Sequence, residues 1–134
     1  MSRDINSNNN IVYDCKYHVV FCPKYRKNVL IDPVDKRLKE LFNNKIKELN
    51  AEIVEMEIMP DHVHLLIKCD PQFGIHRVVK HLKGYSSRIL RQEFKHLKSR
   101  LPSMWTNSYF VATVGSISLE VVKQYIENQK ERSD

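Results

Sequence analysis

The sequence predicts an α+β fold, an antiparallel sheet with helices and a further helix near the C-terminal end. Three observations predict it. Period-two alternation marks strands, apolar residues three and four apart mark two long helices between them, and no long linker separates the pieces. The 134 residues fit one domain spanning 1–134.

From Val12 to Phe21, Tyr13, Cys15, Tyr17, Val19 and Phe21 share one face, with Asp14, Lys16, His18 and Val20 on the other. That is the period of a half-buried strand. Pro23 to Lys27 reads as a basic loop. Asp32-Pro33 predicts a helix start, with Asp as N-cap and Pro in the first turn. Val34, Leu38, Leu41, Phe42, Ile46 and Leu49 form its apolar stripe, and it should end near Asn50.

Glu52 to Ile58 and His62 to Lys68 read as strands, and Met59-Pro60-Asp61 between them predicts a tight hairpin. Ile75 to about Lys98 reads as a second helix, with Ile75, Val78, Val79, Leu82, Tyr85, Ile89, Leu90, Phe94 and Leu97 inward. Pro102 lies beyond its end. Ser108 to Val114 is β-rich and Gly115 stops it. Ser118 is placed to cap a last helix running to about Lys130, with Glu120 near its positive end. The first six elements spell a ferredoxin-like split βαβ pattern. In that topology the first and third strands are central, so the His-bearing strand sits mid-sheet.

Hydrophobic residues make up 42% of the chain, enough for a core at this size. No apolar run reaches the ~18 residues of a membrane span. The polar start, MSRDINSNNN, lacks the apolar stretch of a signal peptide and is expected to fray. These features point to a soluble protein of the cell interior, with no membrane partner. Cys15, Cys22 and Cys69 are odd in number and form no CxxC pair, which argues against a disulfide framework or zinc site.

The formal net charge is +6, and its location is informative. Between Arg77 and Arg100 stand eight Lys or Arg against one acid, Glu93, a local excess of seven. The remainder carries fourteen basic and fifteen acidic residues. Most charge runs are solvated helix faces, yet one this concentrated favours a nucleic-acid partner. Lys80, Lys83, Arg88 and Arg91 on the second helix, with Lys24, Arg26 and Lys27 in the loop, are candidates for phosphate contacts. Tyr25 and Trp105 are candidates to stack on unpaired bases, with a core role as the alternative for Trp105.

His62-Val63-His64 places two imidazoles on one face of a strand, a pattern able to chelate one divalent metal. Alone it equally describes two ordinary polar-face histidines. Tyr125 and Gln129, four apart, share one face of the last helix; a tyrosine can be a covalent nucleophile and Gln offers a neutral oxygen. A half-buried Tyr and a solvated Gln are the plain alternative. By strand parity His18 faces away from Tyr13 and could lie near the His pair. GxSxG, Walker and GxGxxG patterns are absent, which argues against several enzyme classes and against a nucleotide cofactor.

Read together, these stretches resemble the single-tyrosine HUH transposases, TnpA type, of the insertion-sequence 200/605 group. The resemblance rests on CKYHVVFCPKYRKNVL at 15–30, MPDHVHLLI at 59–67, LKGYSSRILRQEF at 82–94, MWTNSYFVATVG at 104–115 and YIENQ at 125–129. They occur in the family's order from about Tyr13 to Gln129, without departure at a position the family needs. The resemblance implies that His62, His64 and Gln129 hold a divalent metal, Mg²⁺ or Mn²⁺, and that Tyr125 is the nucleophile. It implies a homodimer that recognises DNA hairpins and cleaves and rejoins single-stranded DNA through a 5′-phosphotyrosine. It also implies a prokaryotic, cytoplasmic setting, at the nucleoid when bound to DNA. An RRM-type binding module shares the split βαβ core, but its RNP aromatics have no counterpart here. A transposase that retains hairpin binding and has lost cleavage is a further alternative, against which the intact His62, His64, Tyr125 and Gln129 argue.

Overall fold

The computed structural model describes residues 6–7, 12–115 and 119–131. In chain order the elements are β1 (Asn6–Ser7), β2 (Val12–Tyr13), β3 (Lys16–Phe21), a 3-10 turn at Lys24–Arg26, α1 (Val34–Ile46), β4 (Ala51–Met59) and β5 (His62–Cys69). They continue as α2 (Ile75–Glu93), α3 (Lys95–Arg100), β6 (Phe110–Thr113) and α4 (Leu119–Glu131). β1 and β2 form a small antiparallel ladder, and the main sheet has the order β4-β5-β3-β6, antiparallel throughout. This is the ferredoxin-like order, with β3 and β5 central as the sequence predicts.

Alternation decides the layers. Val19, Phe21, Val63, Leu65 and Ile67 point to one face, where all are 0% exposed. There they meet Leu38, Leu41 and Phe42 from α1 and Val78, Val79 and Leu82 from α2. Phe21 packs edge-on against Phe42 and Trp105, with ring centroids 6.0 and 4.8 Å away. Trp105 donates its indole N–H to Ser86 Oγ at 3.1 Å and is buried, so it belongs to the core and not to a base-stacking surface.

Several local expectations change. The first strand breaks at Asp14-Cys15 into β2 and β3. α1 starts at Val34, and Asp32 pairs with Lys36 at 3.1 Å without capping the helix. β4 carries a bulge between Ile53 and Glu55, which leaves Val54 on the surface. The second helix stops at Phe94, whose backbone is extended (φ −120°, ψ 92°), and α3 resumes at a new angle that buries Leu97 and Leu101. β6 is shorter than its sequence pattern. Ser118, the expected cap of the last helix, lies outside the described residues, as do most of the first ten. Among the described residues no helix is long and apolar enough to cross a membrane.

Candidate active site

The second face of the sheet carries polar chemistry. Cross-strand register sets Glu57, His64, Val20 and Phe110 in one row across the four strands, with His62 and His18 in the rows on either side. His62 and His64 are both half-buried and project together, as their spacing requires. His18 joins them: its Nδ1 lies 3.0 Å from His64 Nε2, and the rings are 5.3 Å apart. Burial pushes the His64 pKa down, with the neighbouring His18 acting the same way, while Glu57 and Glu55 oppose it. A neutral His64 keeps a ring nitrogen available as a donor atom. Beside it opens a trough of about 540 Å³ lined by Glu55, Met56, Glu57, His64 and Leu66.

His62 is oriented by its neighbour: Asp61 Oδ1 stands 2.9 Å from Nδ1. A carboxylate only accepts, so Nδ1 carries a proton, and in the uncharged ring Nε2 is the lone-pair nitrogen.

α4 covers the other end of this face. Its Tyr125 ring packs on Phe110 at 5.6 Å, and the phenol oxygen is 3.3 Å from Ser108 Oγ. Ser108 also donates to Gln129 Oε1 at 3.4 Å. Gln129 is 1% exposed, and its amide nitrogen is buried without a hydrogen-bond partner among the described residues. Tyr125 and Gln129 are thus gathered by one serine, on the β6 side of the imidazoles. Phe110 stands two strands from His64, roughly 10 Å at ordinary strand spacing. The hydrogen bond of Gln129 goes to Ser108, not to an imidazole. Among the described residues no three His, Cys, Asp or Glu side chains cluster as a metal cage.

The basic candidates divide. Lys24, Lys27, Lys80, Arg88 and Arg91 reach solvent to differing degrees, and Tyr25 is 40% exposed. Lys83 instead donates to the carbonyls of Thr106 and Ser108 at 2.7 and 3.3 Å, holding the loop that presents Ser108. Arg26 also turns inward, toward Asp61 and α4. Lys45, Arg77, Lys80, His81, Gly84, Tyr85 and Arg88 line a groove of about 400 Å³ on the α1–α2 layer, across the sheet from the histidines.

Sequence reasoning undervalued His18 and missed Ser108. Strand parity alone flags His18, whereas nothing local to Ser108 signals contacts 17 and 21 residues away.

A ferredoxin-like sheet with paired imidazoles on its open face and a tyrosine helix across it is the architecture of a transposase-type domain. A model of the family described as "Transposase IS200 like" matches residues 11–129, and the chain belongs to that family. It is 37% identical to the ISDra2 transposase TnpA of Deinococcus radiodurans over 123 residues, covering 90% of this chain and 88% of that protein. It is 31% identical to the IS200 transposase of Salmonella typhimurium, covering 89% of this chain and 79% of that one. A D. radiodurans crystal structure described as a transposase superposes with a TM-score of 0.85 at 39% identity, over 92% of this chain and 97% of that one. The fold is also shared with a REP-associated tyrosine transposase bound to a REP hairpin, at a TM-score of 0.58 and 10% identity, over 95% of this chain and 69% of that one.

Proposed function

We propose that this transposase cleaves and rejoins single-stranded DNA at insertion-sequence ends, with Tyr125 as nucleophile and a divalent metal on His62, His64 and Gln129. The observation that carries the reading is the common face: the imidazoles of β5 and the phenol of α4 lie over the same side of one sheet. The Tyr125 oxygen attacks the scissile phosphorus, the P–O3′ bond breaks, and the 3′-oxygen leaves and takes up a proton. A 5′-phosphotyrosine and a free 3′-hydroxyl result. Phenolate leaves more readily than an alkoxide, since the phenol pKa is about 10, so attack by a 3′-hydroxyl reseals the strand. No nucleotide cofactor enters that balance.

The donor types suit a divalent metal, and holding one would require α4 to bring Gln129 across from the β6 side to the imidazoles. His62 offers Nε2 once Asp61 holds its Nδ1–H, and burial favours the uncharged form of His64, whose Nε2 faces His18. Turning the Gln129 amide by half a rotation keeps its bond to the Ser108 hydroxyl and frees an oxygen, which accounts for the orphaned buried amide. Bound there, Mg²⁺ or Mn²⁺ would neutralise charge on the phosphate and orient it. Ser108 holds the phenol, and Phe110 fixes its ring.

Hairpin DNA is the expected partner. Lys80, Arg88 and Arg91 on α2, with Lys24 and Lys27 on the turn, offer cations to the backbone, and Tyr25 a ring to an unpaired base. Arg26 and Lys83 are engaged by protein partners and support the site from within. The reading includes a homodimer of single-domain chains, supported by the edge of β6, open among the described residues, with Val111 on it 38% and Val114 just beyond it 51% exposed. It also includes action on nucleoid DNA in a prokaryotic cytoplasm.

The test is a cleavage assay on single-stranded hairpin DNA with Mg²⁺, Mn²⁺ or EDTA. A metal-dependent covalent protein–DNA adduct, absent in Tyr125→Phe, is expected. Tight hairpin binding with no adduct under any metal would leave a binding protein only.

A further inference from the structure

We propose that Arg26 is a positioning residue that fastens the tyrosine helix to the turn carrying His62. The proposal rests on the reading of Tyr125 and His62 given above.

The side chain of Arg26 is only 11% exposed, unusual for an arginine on a basic surface turn. Its guanidinium lies between two elements. On the sheet side, Nε is 3.1 Å from Asp61 Oδ2, a close ion pair although the N–H is not aimed at the oxygen. On the helix side, Nη1 donates to the Ile126 carbonyl at 3.1 Å and lies 3.4 Å from Glu127 Oε1. Ile126 adjoins Tyr125, and Asp61 adjoins His62. The other Asp61 oxygen holds the His62 ring. A continuous path therefore runs from His62 through Asp61 and Arg26 to the backbone beside Tyr125.

The backbone supports this role. Tyr25 and Arg26 have φ of 60° and 48°, a left-handed pair of non-glycine residues that is unfavourable unless its surroundings enforce it. Backbone bonds enforce it: Lys24 N–H donates to Met104 O at 3.0 Å and Arg26 N–H to Pro23 O at 2.8 Å. That conformation sends the Tyr25 ring outward while Arg26 points inward. A phosphate contact would need the guanidinium in solvent. A planar fork suits simultaneous contact with a carboxylate and a carbonyl, which an ammonium reproduces poorly.

The helix is also held by the burial of Val122 and Gln129, by the Tyr125 ring on Phe110 and by Ser108, which contacts both Tyr125 and Gln129. Removing Arg26 deletes a side-chain bond to the backbone carbonyl next to the nucleophile.

The experiment follows hydrogen exchange across α4 in the full chain for wild type, Arg26→Ala, Arg26→Lys and Glu127→Gln. Single-turnover adduct formation at saturating hairpin DNA is measured in parallel, with hairpin affinity and Tyr125→Phe as references. Arg26→Ala is expected to speed exchange of the α4 amides by about tenfold and slow adduct formation by about 10–100-fold, the scale of a misplaced reacting group. Hairpin affinity should stay within about twofold, because Arg26 meets protein and not phosphate. Arg26→Lys should recover part of both effects. Should Arg26→Ala fail to fold, Glu127→Gln, at a side chain 73% exposed, is expected to show the same faster exchange on a smaller scale. Unchanged α4 exchange in these variants would overturn the proposal. So would loss of hairpin affinity with a flatter salt dependence and unchanged exchange, which marks a phosphate contact. If wild type yields no Tyr125-dependent adduct, the catalytic reading fails, and the exchange data still decide whether Arg26 anchors the helix.

Discussion

The two faces of the main sheet draw on alternate residues of the same strands yet obey opposite rules. Val19, Phe21, Val63, Leu65 and Ile67 are closed under α1 and α2. His18, His62, His64 and Leu66, their sequence neighbours, stay half-open beneath a partial cover from α4. The first face stabilises through removal of apolar surface from water. The second leaves nitrogen and oxygen donors within reach of a ligand, held on central strands that pair with neighbours on both sides. Residue parity therefore separates most of the stability from the chemistry, with Val20, in the row of His64 yet 0% exposed, as the exception.

The largest expected effect lies on the open face. Tyr125→Phe removes one oxygen and keeps the packing on Phe110, so adduct formation on hairpin DNA should fall to background while the thermal midpoint barely moves. A mutant that still forms the adduct would assign the nucleophile elsewhere.

The closed face predicts the reverse. Phe21→Ala deletes a ring packed against Phe42 and Trp105 and should cost about 3–5 kcal/mol, the range for buried aromatic truncations. Denaturant unfolding reads that loss directly. At this domain's size such a loss approaches the whole stability, commonly about 5–15 kcal/mol. A loss below about 1 kcal/mol would mean that the core relaxes around the gap and the separation of faces is weaker than drawn.

A third difference separates the open face from the helix layer across the sheet. Lys80→Ala with Arg88→Ala removes two cations from the α2 groove and leaves the imidazoles untouched. Hairpin affinity should fall, and the slope of log affinity against log salt should flatten by about 2 units. Adduct formation at saturating DNA should change little. A lost rate with unchanged affinity would place the reacting strand in that groove.

Much of this division was legible in the sequence, because it follows from period two. The hairpin around Met59-Pro60-Asp61, the central position of the His strand and the apolar stripes of α1 and α2 all appear where alternation and helical spacing put them. Parity also pointed to His18, which lies against His64. What escaped depends on contacts between distant segments. The helical stripe marked Leu97 as inward, but not the break at Phe94 or the burial of Leu101 beyond it. Composition marked Arg26 and Lys83 as basic, yet their partners come from the turn before β5, from α4 and from the loop before β6. Charge is readable along a chain, whereas the direction in which a long side chain turns is decided by the fold.

The smallest effect belongs to the outer surface of the helix layer. Arg37 on α1 grips Glu93 at the end of α2 with two bonds, Nε to Oε1 at 2.8 Å and Nη2 to Oε2 at 2.9 Å. Both groups are well solvated, so the fork is worth little despite its geometry. The hydrogen bonds from Arg37 hold the Glu93 carboxyl below its ordinary value of 4.5. A carboxyl depressed in the folded state contributes stability that is complete above its unfolded pKa. The contribution fades as pH falls from 4.5 through the lower folded value. Glu93→Gln should therefore lower the thermal midpoint slightly at pH 7 in low salt, less in high salt, and not at all once the carboxyl is protonated in both states. A large drop at pH 7 would show that this pair, and not the apolar stripe beneath it, aligns α1 with α2; the closed face would then depend on charge as the open face does.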